Sequence, residues 1–128
     1  MSKIFGKIVK DLEPEEFYKT HLNILNCFLP ASQVLSPREI DVLSVFLSFE
    51  GEHAEVDRFG TTFRKIAKAK LGGMSDGGLT NHLTTLKNKG VLEENLHQVL
   101  SLKSYFYPLT NKEQVYNFKI IKKDGKQD

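Results

Sequence analysis

Within LGGMSDGGLTNHL, residues 71–83, four glycines fall inside seven residues and a regular leucine spacing follows. A glycine cluster of this kind can do chemistry in two ways. It can cradle phosphates against bare backbone amides, or it can reverse the chain so that a helix N-terminus faces a polyanion. A nucleotide-binding loop needs G-x-x-x-x-G-K-[ST], with lysine on the phosphates and a hydroxyl on magnesium. Gly72 and Gly77 have the outer spacing, but Gly78 stands where lysine is required and Leu79 where the hydroxyl is. The preceding FRKIAKAKL has helical period rather than that of a strand, and no G-x-G-x-x-G occurs to make a dinucleotide site. The second use fits better. Gly72 and Gly73 permit the positive φ that reverses the chain, Ser75 caps the next helix, and Gly77 and Gly78 carry no side chain to hold its amides off a phosphate. Glycine in a first turn costs about 1 kcal/mol of helix propensity relative to alanine, a cost that close backbone approach would offset.

The helix that follows carries the most informative surface. With Leu79, Leu83 and Leu86 facing inward, the outward sector holds Gly77, Asn81, Thr84, Thr85 and Asn88, flanked by Thr80, His82, Lys87 and Lys89. Asparagine can bond bidentately to an adenine edge, threonine can contact bases or the thymine methyl, and lysine suits phosphate or guanine. An ordinary solvated face would pair glutamates with lysines, yet Leu79 to Lys89 contains no acid. A face that contacts DNA is the favoured reading.

Charge is distributed to match. The segment 61–90 carries Arg64, Lys65, Lys68, Lys70, Lys87 and Lys89 against Asp76, a net +5, whereas 36–60 is net −4, although the whole chain is only +2. A basic segment raises the local concentration of polyanions, and Arg64, Lys65 and Lys68 are placed to hold a phosphate backbone.

Other chemistry is weaker. His21, Cys27, His53, His82 and His97 show no zinc-ligand spacing, so no metal is expected. His97 reads as a strand surface residue. The acids Glu50, Glu52, Glu55 and Asp57 lack cation-loop spacing and a companion nucleophile, and read as a solvated loop. The aromatics of SYFYPL and VYNF could stack on bases, but their alternation suits a hairpin core at least as well, leaving Lys103, Lys112 and Lys119 near phosphates. Neither a catalytic residue nor a cofactor is expected.

The elements that must position this surface can be read outward from it. KIFGKIVK is a weak strand or arm. EPEEFYKTHLNILNCFLP has proline at a first helical position, acids in the first turn and apolar Phe17, Leu22, Leu25, Phe28 and Leu29, with Pro30 as the stop. Ser36 and Glu39 form a capping box around Pro37, opening a helix with too many apolar residues for one face and therefore expected at the centre of the domain. Gly51 would end it, and EGEHAEVDRFG reads as loop. TTFRKIAKAKLGG starts at a threonine cap and sets Phe63, Ile66, Ala67 and Leu71 on one face. The helix from Ser75 to Lys89 is closed by Gly90. Beyond it the chain is β-rich, with VLEEN, LHQVLSLKSYFYPL and VYNFKIIKK as strand material, TNKEQ as a turn, and KKDGKQD as a disordered end.

Length and hydrophobic content, 128 residues and 40%, suit one domain with a true core. A single cysteine and the lack of a long apolar run make a soluble intracellular protein the default.

LSPREIDVL resembles the opening of a LuxR-type helix-turn-helix, but the interval from Ser36 to Ile66 is longer than in that family and a β-wing follows. IAKAKLGGMSDGGLTNHLTTLKNKGVL resembles the second and third helices of winged helix-turn-helix regulators. From Ser36 to Ile121 the chain is similar to the small winged-helix DNA-binding proteins of phages and mobile elements. The resemblance implies a mainly α fold with a small antiparallel β-hairpin: an arm and extra helix over 1–35, a winged helix-turn-helix over 36–122, and a tail over 123–128. It implies a recognition helix at Ser75 to Lys89, carried by the outward residues named above. Taken with that face and the basic segment, the expected partner is double-stranded DNA, the expected role transcriptional regulation, and the expected place the cytoplasm, that of a bacterial host if phage-encoded. A homodimer through the N-terminal helix and a protein partner in place of DNA are the alternatives kept open.

Overall fold

A computed structural model describes residues 11–116 and 121–123. Its centre is the helix opened by the capping box. The Ser36 Oγ accepts from the Glu39 amide at 3.1 Å, and the Glu39 carboxylate accepts from the Ser36 amide at 2.8 Å. From this start α2 runs Pro37–Leu47, with Glu39, Ile40 and every residue from Val42 to Leu47 buried. It is buried all round because it packs against α1 (Pro14–Asn26), α4 (Thr61–Lys70) and α5 (Asp76–Asn88).

Each of these helices delivers an apolar stripe to one core. α1 supplies Tyr18 and Leu22, α4 supplies Ala67 with Leu71 just beyond it, and α5 supplies Leu79, Leu83 and Leu86. Burying a leucine-sized side chain contributes roughly 1.5–3 kcal/mol, so the α5 stripe alone fixes that helix firmly to the core. The extra N-terminal helix is thus part of the same core rather than an appendage. Phe28, placed on its apolar face by periodicity, is 62% exposed.

After Gly90, whose φ of 81° closes α5, β1 (Leu92–Glu94) pairs antiparallel with β2 (Leu100–Leu102), Leu92 opposite Leu102 and Glu94 opposite Leu100. Leu92 and Leu102 face the core, beside Phe106 from a 3₁₀ turn over Ser104–Phe106. The described residues are therefore mainly helical with a two-stranded antiparallel sheet, in the order α1, α2, a short helix over Glu52–Asp57, α4, glycine turn, α5, hairpin.

Several local expectations change. Residues 52–57 form a helix, α3 (Glu52–Asp57), instead of a loop. Gly51, at φ 106°, is its N-cap; α2 has already ended at Leu47, with Ser48 at its C-cap in an ordinary right-handed conformation. α4 begins behind Gly60 with no side-chain cap, and Thr61 is its first helical residue. Ile66 is 43% exposed instead of facing the core. The hairpin lies earlier than the aromatic alternation predicts: SYF forms the 3₁₀ turn, Val115 and Tyr116 belong to no strand, and His97 sits in the hairpin loop. TNKEQ does turn, with the Thr110 hydroxyl accepting from the Lys112 and Glu113 amides. The arm KIFGKIVK, residues 117–120 with Lys119, and residues 124–128 lie outside the described residues.

Candidate nucleic-acid interface

The turn between α4 and α5 uses its glycines for conformation. Gly72 and Gly73 have φ of 78° and 80°, and a Cβ at either would meet open space, so only the backbone angle demands glycine. The Gly73 and Met74 amides both donate to the Lys68 carbonyl, at 2.9 and 3.1 Å, closing α4 before the chain reverses. Ser75 then caps α5, its Oγ accepting from the Gly78 amide at 3.0 Å. This separates the two glycines that follow. The Gly78 amide is occupied by the cap, and a Cβ there would come within 3.1 Å of the Ser75 Oγ, whereas Gly77 is exposed and faces open space.

On α5 the outward sector is as the wheel places it. Thr80, Asn81, Thr84, Thr85 and Asn88 are all exposed, with His82 half-buried at the flank. They form one uncharged polar strip down a helix whose opposite face is locked into the core.

The cations are less free than their number implies. Lys68 is ion-paired to Asp76, which belongs to the first turn of α5. The hydrogen bond from Lys68, together with its charge, holds the Asp76 carboxyl below its ordinary pKa. Lys87 pairs with Glu94 of β1 at 3.2 Å. Arg64 turns its Nε–H to the Phe59 carbonyl at 2.6 Å. Lys65 is exposed and makes no ion pair among the described residues.

Lys89 has a different place altogether. Its ammonium donates to the Glu39 carboxylate at 2.6 Å and to the Val34 carbonyl at 2.8 Å, tying the end of α5 to the start of α2. Burial pushes the Glu39 carboxyl up, but the bonds from Lys89 and Ser36 outweigh it and leave its pKa below the ordinary value. Lys89 is thereby withdrawn from the phosphate-holding set, because two of its three donors are spent inside the fold.

Several functional or framing residues escape sequence reasoning. Arg38 bonds the Leu71 carbonyl at 2.9 Å, pinning α2 to the turn. Arg58 donates from Nη1 to the carbonyls of Phe46, Leu47 and Phe49 at 3.0, 3.3 and 2.5 Å, satisfying the end of α2. His21 is buried, its Nε2–H donating to the Phe106 carbonyl at 3.0 Å while Nδ1 accepts from the Tyr116 hydroxyl at 2.6 Å. No local pattern announces these bonds, whose partners lie nine or more residues away.

Protein-family models, curated proteins and solved structures contain no match to this chain. No helix among the described residues is long and apolar enough to cross a membrane. Among them no group of three or more histidine, cysteine or acidic side chains is placed to hold a metal ion.

Proposed function

We propose that this protein binds double-stranded DNA through α5 and acts, without catalysis, as a small regulator of transcription. The observation that carries this reading is the strip Thr80, Asn81, Thr84, Thr85 and Asn88: uncharged, exposed, and mounted on a helix capped at its start and packed along its opposite face. A rigid helix with asparagine and threonine outward suits the major groove, which displays a distinct donor and acceptor pattern for each base pair. Arg64, Lys65, Lys68 and Lys87 would supply backbone contacts. For Lys68 and Lys87 this means exchanging Asp76 and Glu94 for phosphate, so part of the electrostatic gain is offset.

That same exchange favours a second reading. Asp76 and Glu94 stand at the two ends of the strip and would repel phosphate once separated from their lysines. This is the pattern expected of a surface that docks a protein of mixed charge, as in a virion-assembly or interaction module. Mobility shift on duplex DNA across salt separates the two. On the DNA reading, binding to random duplex weakens steeply as salt rises, and Lys65→Ala lowers the salt slope by about one unit. Asn81→Ala and Thr85→Ala should each cost about 1–3 kcal/mol on a selected site and little on random sequence. Absence of binding at low salt would leave the protein-docking reading.

A further inference from the structure

A separate cavity of about 420 Å³, with no α5 residue in its lining, opens between the C-terminal end of α2, α1, α3 and the segment after Phe106. Phe49 and Tyr107 contribute rings to its wall, Glu50 and Glu55 contribute carboxylates, and Arg58 contributes a guanidinium whose Nη1 is already bonded to the end of α2. A smaller cavity of about 200 Å³ adjoins it, sharing Glu55, Arg58 and Tyr107.

The feature that marks this space as more than a surface fold is Tyr18. It is 8% exposed and lines the cavity, yet its hydroxyl makes no hydrogen bond among the described residues. Buried hydroxyls are nearly always satisfied by protein or water, so one open to a cavity is a hydrogen-bonding group available to whatever fills that cavity. Burial holds its phenol above the ordinary pKa, and it therefore meets that partner as a neutral hydroxyl able to accept a hydrogen bond.

We infer that this cavity binds a small organic ammonium ion, its head between Glu50, Glu55 and the Tyr18 hydroxyl and its body against Phe49 and Tyr107. The sign follows from the lining. Glu50 and Glu55 line it against one cation, Arg58, and that guanidinium already serves the carbonyls that end α2. Ring faces attract cations. An anion would find one cation, Arg58, and would sit beside two carboxylates. This site is independent of the α5 surface and stands or falls without it.

The test is an NMR titration of the full chain with three probes of matched shape: phenethylammonium, 3-phenylpropionate and neutral phenethyl alcohol. The expected result is saturable shifts at the Tyr18 and Tyr107 rings with the ammonium alone. Tyr18→Phe and Glu55→Gln should each weaken its affinity about tenfold. The Tyr18→Phe protein should melt no lower than the parent, since it loses only a hydroxyl that has no partner among the described residues. Equal or tighter binding of phenylpropionate, no saturation by the ammonium, or an affinity unmoved by both substitutions would overturn the proposal.

Discussion

At the scale of single residues, the contrast between Lys65 and Lys89 shows what a basic count conceals. Both lie in the net +5 segment, yet Lys65 is exposed while Lys89 is bonded to Glu39, whose side chain is only 5% exposed. Lys89→Ala leaves that carboxylate with the Ser36 amide as its remaining partner, and a lost charge-assisted bond of this kind costs about 2 kcal/mol. The expected outcome is a lowered urea midpoint with an unchanged salt slope for any DNA binding; the reverse pattern would return Lys89 to the interface. The cysteine-histidine inventory likewise could not reveal that His21 is a buried tether. The signal needed was Tyr116, which lies 95 residues further on.

At the scale of elements, the glycine turn offers the sharpest comparison. Gly73 sits at φ 80°, where alanine is strained, so Gly73→Ala should destabilise by about 1–2 kcal/mol. Gly77 lies inside α5 facing open space, so Gly77→Ala should stabilise by about 1 kcal/mol from helix propensity. Thermal melts of the two variants should therefore move in opposite directions. If α5 approaches a phosphate closely, Gly77→Ala will at the same time weaken DNA binding. The turn, the capping box and the leucine stripe were legible because each is written within one helical turn of its own residues. α3 was not, since six residues with Ala54 as their only buried position have no readable period. The hairpin was displaced because alternation in SYFYPL competes with the short LEE and LSL strands, and pairing is decided across the chain rather than along it.

At the scale of the whole molecule, stability should fall with acidity in two stages. Burial lowers the His21 pKa below 6.5, so its neutral tautomer contributes stability that is full above 6.5 and lost as pH falls through the folded value. Glu39, also lowered, adds a second loss beginning below 4.5. Urea midpoints should drop between pH 7.5 and 5.5, and His21→Gln should flatten that first step while leaving the second. The molecule is also polarised, with α5 and its lysines on one side of α2 and the acidic α3 by the Tyr18 cavity on another. Only the first of these sides was legible beforehand, because 50–57 reads as a plain acidic loop until Tyr18 and Tyr107, distant in sequence, are brought beside it.

The sequence by itself determined the helices that carry the candidate interface, the glycine reversal between them, and the polar strip on α5. All three depend on contacts between residues three or four apart. Only the tertiary structure decided which cations remain free, how Arg38, Arg58 and His21 tie the helices to one another, and that Tyr18 faces a cavity. Those outcomes depend on side chains of different elements meeting, and for Arg58, His21 and Tyr18 on their meeting in or beside the interior, where an unmet polar group carries a cost that no local pattern records.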